Sequence, residues 1–121
     1  MKICIIDDNV EILELLKNIL DTAGNKVLTA DNGRDCLSLI LNEKFKLVIL
    51  DITIPEIYGI DIVMYLDGHE KLRDQNILFL TAASVQDSEI QKWLDKGVKA
   101  CLKKPTDMDE LFEHVMEVEM T

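Results

Sequence analysis

The stretch that most limits how this chain can fold is a continuous apolar run, Leu47 to Leu50, which ends at Asp51 and is followed by Pro55. A short, uninterrupted run of this kind is typical of a strand buried on both faces of a parallel sheet. Asp51 then stands at the carboxyl end of that strand, and open α/β sheets bind their ligands just outside those ends. An acid there costs free energy unless it is solvated, paired or metal-bound. Taken alone, Asp51 could equally begin a turn or cap a helix, so its role has to be inferred together with the rest of the chain.

Strand-like and helix-like patterns alternate along the whole chain. Short apolar runs predict strands at 2–6, 26–30, 47–51, 77–80 (continuing into Thr81) and 99–103. Apolar residues at helical spacing predict helices within 9–23, 36–41, 60–66, 90–97 and 108–115, with Ser88 as the cap of the fourth and Asp107 with Glu110 as a capping box for the last. The pattern predicts an α/β fold: a doubly wound, five-stranded parallel sheet of (βα)5 flavodoxin-like architecture, with helices on both faces. No linker or repeat interrupts it, so we expect one domain over 1–121.

Charge and cysteine content narrow the functional classes. The formal net charge of −10 argues against direct nucleic acid binding and suits a protein that binds divalent cations or basic surfaces. The three cysteines, Cys4, Cys36 and Cys101, lie in apolar segments without metal-type spacing, so we expect reduced, buried thiols in a cytoplasmic protein. The short apolar start, which ends in acids, is neither a signal peptide nor a membrane span.

Polar residues follow several of the predicted strands, and a parallel sheet brings them to one edge. They are Asp7, Asp8, Asp51, Thr81 and Lys104. Three carboxylates in close proximity repel one another by on the order of a few kcal/mol per pair, and Mg²⁺ would relieve that repulsion while leaving room for phosphate oxygens. The ammonium of Lys104 and the hydroxyl of Thr81 would add the positive charge and the hydrogen-bond donor that a transferring phosphoryl group needs around its oxygens. Asp51 is then the candidate nucleophile, which would form an acyl phosphate.

Each of these residues also has an ordinary structural interpretation. Asp8 could cap the first helix in a capping box with Glu11, although Asn9 could cap it instead and leave Asp8 free for a metal. Thr81 could be a simple strand-end hydroxyl, and Lys104 an exposed lysine. Trp93 is expected to be a core residue. His69 and His114 are expected to lie on the surface, with no Cys or His at metal-ligand spacing.

Taken together, these motifs resemble those of a response regulator receiver domain, the phospho-acceptor half of two-component signalling. The resemblance covers essentially the whole chain and rests on four motifs in order. They are the acidic pair Asp7-Asp8, the acceptor Asp51 with Pro55 and Gly59 at the family spacing, Thr81-Ala82, and Lys104-Pro105.

The resemblance implies a set of roles and partners. Asp51 would accept the phosphoryl group, with Thr81 and Lys104 assisting and linking it to a conformational switch. Mg²⁺ would be held by Asp8, Asp51 and the backbone carbonyl of Thr53, with Asp7 holding metal-bound water. The domain would signal rather than act as an enzyme, although it would assist its own phosphorylation and dephosphorylation. A histidine kinase or histidine phosphotransfer protein would be the donor and a protein the downstream target, without nucleic acid or membrane contact, in a monomer or weak dimer. A cis Lys104–Pro105 bond is also expected.

The chain departs from the family pattern at several positions. Cys101 stands where the family often has a Tyr or Phe, Thr106 follows the Lys-Pro pair where Phe is common, and the loop after Thr81 is one residue longer than usual. Thr53 and Ala83 stand where receivers can carry an amide or acid that orients attacking water, so we expect slow self-dephosphorylation.

Three other functions share parts of this pattern. A flavodoxin-like cofactor protein has the same architecture, but Asp7-Asp8 would repel the flavin phosphate. A haloacid dehalogenase-type phosphatase needs a second acid where this chain has Thr53. A receiver-like adaptor that is never phosphorylated would not need the acidic site.

Overall fold

The computed structural model describes residues 1–52, 59–81, 85–104 and 108–120. Five strands and five helices alternate, with one short 3-10 turn that the sequence did not predict. In chain order they are β1 (Lys2–Ile6), α1 (Val10–Thr22), β2 (Lys26–Ala30), α2 (Gly33–Asn42), β3 (Leu47–Asp51), α3 (Gly59–Gly68), the 3-10 turn (Leu72–Asp74), β4 (Ile77–Thr81), α4 (Asp87–Lys96), β5 (Ala100–Lys103) and α5 (Met108–Glu119).

All strand pairs are parallel, in the order β2-β1-β3-β4-β5, which confirms the predicted doubly wound α/β fold. β3 lies at the centre, and each of its five residues is buried. The run from Leu47 to Leu50 is apolar without interruption because both faces of this strand are covered, as predicted.

Alternate side chains of the strands enter two cores, one on each face of the sheet. In β3, Val48 and Leu50 pack with α2, α3 and α4, whereas Leu47 and Ile49 pack with α1 and α5. Trp93 is buried in the first core, as predicted. Cys4 and Cys36 are fully buried free thiols, but Cys101 is only half-buried, so the prediction of three buried cysteines is wrong for that residue. β5 is an edge strand, and burial of its residues is incomplete.

Two of the predicted helix caps can be compared with the structure. Asn9 caps α1, since its side-chain oxygen accepts hydrogen bonds from the backbone N–H groups of Glu11 and Ile12. Ser88 does not cap α4, because that helix already begins at Asp87, with Gln86 in the cap position. The helix starts one turn earlier than its apolar stripe, which begins only at Ile90. Asp107, half of the predicted capping box before α5, lies outside the described residues.

Candidate functional site

The site lies where the carboxyl ends of β1, β3, β4 and β5 meet. Asp7 follows β1, Asp51 ends β3, Thr81 ends β4 and Lys104 follows β5. The ends of β4 and β5 are joined directly, because the backbone N–H of Lys104 donates to the carbonyl oxygen of Thr81 at 2.7 Å. The parallel sheet thus brings together four polar residues that are far apart in sequence, as predicted.

The ammonium of Lys104 bridges the two buried carboxylates of the site. Its Nζ lies 2.9 Å from Asp51 Oδ2 and 3.2 Å from Asp7 Oδ2. Partial burial lowers the pKa of Lys104, but the hydrogen bonds and negative charges of Asp51 and Asp7 outweigh it, so the pKa is raised above its ordinary value of 10.5. Lys104 therefore carries a full positive charge at neutral pH and offsets part of the carboxylates' repulsion.

The turn after β1 orients the acidic pair. The backbone N–H of Asn9 donates to Asp7 Oδ1 at 2.9 Å, and the backbone N–H of Asp7 donates to the Ala30 carbonyl at 3.2 Å. Asp7 is buried within the site, at 1% exposure, while Asp8 is exposed beside it. Since Asn9 caps α1, Asp8 has no capping role there and its carboxylate is available to a ligand.

The three carboxylates form a cluster of metal-ligand size. One oxygen from each of Asp7, Asp8 and Asp51 lies within 4.8 Å of the others. Ligands on opposite sides of an octahedral ion bound at about 2.1 Å are about 4.2 Å apart, so small side-chain adjustments would suffice for Mg²⁺. Because the donors are all hard oxygen atoms and two of them are buried, the cluster fits this cation. These three residues are the predicted metal-binding side chains, and the fold brings all of them together.

Thr81 brings a buried hydroxyl to the same edge of the sheet. Its side chain is fully buried, and its Oγ1 has no hydrogen-bond partner among the residues that the structure describes. A buried hydroxyl without a partner costs about 1–3 kcal/mol, so a ligand oxygen that accepted its hydrogen bond would recover this energy. A buried donor of this kind would suit an oxygen-rich ligand.

Gly59 contributes to the site in a way that the sequence did not reveal. Its N–H donates to the Ile52 carbonyl at 2.8 Å, and a Cβ at this position would lie 2.8 Å from Ile52 Cα and 2.9 Å from the Asp51 carbonyl oxygen. Real Cβ atoms essentially never come this close to backbone, so only glycine allows α3 to begin against the end of β3. In the sequence, Gly59 was only a spacing marker, because this contact exists only after folding.

Several predicted features fall outside the described residues. They are the backbone carbonyl of Thr53, the Lys104–Pro105 bond, Ala82, Ala83 and Thr106. Within the described parts of the chain, no helix has the length and apolar character needed to cross a membrane.

Comparison with known proteins points to one family. Residues 3–116 match the family model described as the response regulator receiver domain. The chain is 33% identical over 117 residues, 97% of its length, to a protein named as a transcriptional regulatory protein CpxR homolog from Haemophilus influenzae. It is 32% identical, over an alignment of 121 residues that covers 97% of this chain, to the virulence sensor protein BvgS of Bordetella pertussis.

Solved structures agree with these matches in fold. The receiver domain of the Francisella response regulator 1452 superposes with a TM-score of 0.87 at 23% identity, covering 97% of this chain and 94% of that one.

The sequence matches span 49% of the length of the Haemophilus relative and 10% of the Bordetella sensor, so the likeness concerns one part of those longer proteins.

Proposed function

We propose that this chain, which belongs to the response regulator receiver domain family, accepts a phosphoryl group on the Asp51 carboxylate and passes the signal to a protein partner. The observation that carries the proposal is the environment of Asp51. Its buried carboxylate faces the Lys104 ammonium at 2.9 Å, and the neighbouring strand ends at Thr81, whose hydroxyl has no hydrogen-bond partner among the described residues. Such donors suit a phosphoryl group, whose transfer depends on positioning and charge stabilisation.

The donor in this proposal is a phosphorylated histidine of a kinase or of a histidine phosphotransfer protein. An oxygen of Asp51 attacks the phosphorus atom, the P–N bond breaks, and its electron pair returns to the imidazole ring. Lys104 neutralises negative charge beside the attacking carboxylate. Thr81 gains an acceptor for its hydroxyl once the phosphoryl oxygens arrive.

Asp7, Asp8 and Asp51 are the side chains that would hold Mg²⁺, together with the backbone carbonyl of Thr53. When bound, the ion would supply positive charge to the phosphoryl oxygens. Asp7, fixed by the Asn9 N–H, would hold metal-bound water, whereas exposed Asp8 would bind the ion directly. We expect weak affinity, since Mg²⁺ gives up its waters reluctantly and few protein ligands are available.

The output of the site is proposed to be a two-state change that begins at Thr81 and Lys104. Phosphorylation would draw the Thr81 hydroxyl and the Lys104 ammonium towards the new oxygens and shift the equilibrium of the loop after β4. We propose that residues 1–121 perform this role as one cytoplasmic receiver domain, a monomer or weak dimer that contacts a downstream protein rather than nucleic acid or membrane. The domain would assist its own phosphorylation and dephosphorylation without transforming a separate substrate.

The experiment is incubation of the protein with acetyl phosphate and Mg²⁺, followed by intact mass measurement. We expect one added phosphate in the wild type, none in Asp51→Asn, and one in Asp61→Asn, which alters an exposed acid on α3. Undiminished labelling of Asp51→Asn would refute the proposal. A wild type that takes up no phosphate would instead support the unphosphorylated adaptor.

A further inference from the structure

The opposite, amino-terminal edge of the sheet carries a second feature, which the phosphorylation site does not use. Two adjoining clefts of about 590 and 420 Å³ share Lys44 and Asp74 in their walls. One lies between the end of α2 and the 3-10 turn, and the other runs beneath the starts of β1 and β3. We call these two adjoining clefts together the amino-edge cleft.

The charge of the amino-edge cleft is opposite to that of the molecule. Four of the chain's 13 Lys and Arg line it, against two of its 23 Asp and Glu. The basic residues are Lys2, Lys44, Lys46 and Lys71. A cationic surface on a protein of net charge −10 is not a consequence of overall composition, and it would attract an anionic partner to this one edge.

One of these lysines is held in place and the others are available. Lys2 pairs with Glu43 at 2.6 Å, and its ammonium also lies over the Phe45 ring. Lys44, Lys46 and Lys71 are exposed, and no ion pair is seen for them within the described portions of the chain. Three exposed cations beside a paired one could bind carboxylates at several positions.

Local structure explains only some of these charges. Lys44 and Lys71 follow the carboxyl ends of α2 and α3, where the helix dipole favours a cation. Lys2 and Lys46 lie at or just before the starts of β1 and β3, not at the end of a helix. The helix dipole therefore does not account for the lysines along the strand starts.

An exposed apolar side chain adds a second kind of contact. Leu41, in the wall of the larger cleft, is 40% exposed and is one of the few large apolar residues on the surface. We propose that the amino-edge cleft docks an acidic peptide segment of a partner protein, with carboxylates on the lysines and an apolar residue against Leu41. The cleft is at the opposite end of the strands from Asp51, so this docking would be independent of phosphorylation.

The probe is a short synthetic peptide rich in Glu with two spaced Leu residues, and its control has Gln in place of each Glu. Titration into ¹⁵N-labelled protein should shift amide signals at 40–46 and 71–76 in a salt-dependent manner, and the Gln peptide should not. Lys44→Glu/Lys71→Glu should weaken binding about tenfold. The matched control Lys17→Glu/Lys92→Glu makes the same charge change on α1 and α4, and its affinity for the peptide should stay within about twofold of the wild-type value. The same is expected of Asp51→Asn.

Several results would overturn the proposal. If the peptide shifts amide signals of the wild-type protein only on other surfaces, the proposal is wrong, and no variant is needed to show it. Equal weakening in the control double variant would show a general charge effect. Binding to phosphatidylserine vesicles but not to the Glu peptide would assign the cleft to a lipid surface instead.

Discussion

Lys104 Nζ lies 2.9 Å from Asp51 Oδ2, so the chain's proposed phospho-acceptor is already paired with the cation that would neutralise a phosphoryl group. Both residues are placed by the backbone, because Asp51 ends the central strand and Lys104 is bonded through its N–H to Thr81. A phosphoryl group on Asp51 would meet this ammonium with little rearrangement.

Asp8 and Asn9 should have separable roles. Asp8→Ala should abolish or greatly weaken Mg²⁺ binding while changing the free energy of unfolding little, because Asp8 is exposed and does not cap α1. Asn9→Ala should cost about 1 kcal/mol of stability through loss of the cap and retain a Mg²⁺ site. Calorimetric titration with Mg²⁺ and urea unfolding in EDTA measure the two effects. Unchanged Mg²⁺ binding in Asp8→Ala would show that the ligand assignment is wrong.

Gly59 should tolerate no side chain. Gly59→Ala would place a methyl group 2.8 Å from Ile52 Cα, so we expect a loss of about 1–3 kcal/mol in unfolding free energy, with slower phosphorylation from the displaced end of β3. Gly68→Ala is the matched control, because a Cβ there meets nothing within 4 Å and would favour the helix. Equal stability of the two variants would contradict the close contact.

The thiol of Cys101 should react only at high pH. Burial raises its pKa to about 11, and that of Cys4 to about 12, from an ordinary 9.0. The thiolate is the reactive form, so iodoacetamide labelling of native protein should rise towards a midpoint near pH 11 and disappear in Cys101→Ser. Because the pKa of Cys101 is higher in the folded protein than in the unfolded chain, deprotonation also favours unfolding. The stabilisation that the neutral thiol provides is therefore lost as the pH rises from 9.0 to about 11. A labelling midpoint at or below 9 would contradict the raised pKa of this half-buried thiol.

The acyl phosphate should be lost slowly. Thr53 and Ala83 lie outside the described residues, and we propose from the family resemblance that they take positions where an amide or an acid could orient the attacking water, which a short hydroxyl and a methyl group would not do. Thr53→Asn/Ala83→Glu should therefore shorten the lifetime about tenfold or more. The measurement is loss of phosphate from isolated phosphoprotein in Mg²⁺. Equal lifetimes in wild type and double variant would refute the argument from these side chains.

The sequence predicted the fold well because the signals that specify it are local. The run from Leu47 to Leu50 and the alternation of the other elements each lie within a short window, and that alternation indicates a parallel sheet with helices on both faces. The convergence of Asp7, Asp51 and Lys104 at one edge then needs only the parallel arrangement of the strands.

Features that depend on contacts between distant segments could not be predicted in the same way. The approach of Gly59 to Ile52 and the partial exposure of Cys101 on an edge strand appear only in the folded chain. The burial of Asp7 and the exposure of Asp8, with the Asn9 N–H donating to Asp7, are likewise seen only in the folded chain. The start of α4 was misplaced because its first turn, before Ile90, has no buried apolar residue.

The most direct test of the central claim is chemical mapping of the phosphorylated residue. Protein treated with acetyl phosphate and Mg²⁺ is reduced with borohydride, which converts an acyl phosphate to an alcohol, and the resulting peptides are sequenced by mass spectrometry. We predict a single reduced side chain, at position 51, and none in protein that received no acetyl phosphate. Reduction at Asp7 or Asp8 instead, or phosphate retained on a hydroxyl such as that of Thr81, would contradict the account.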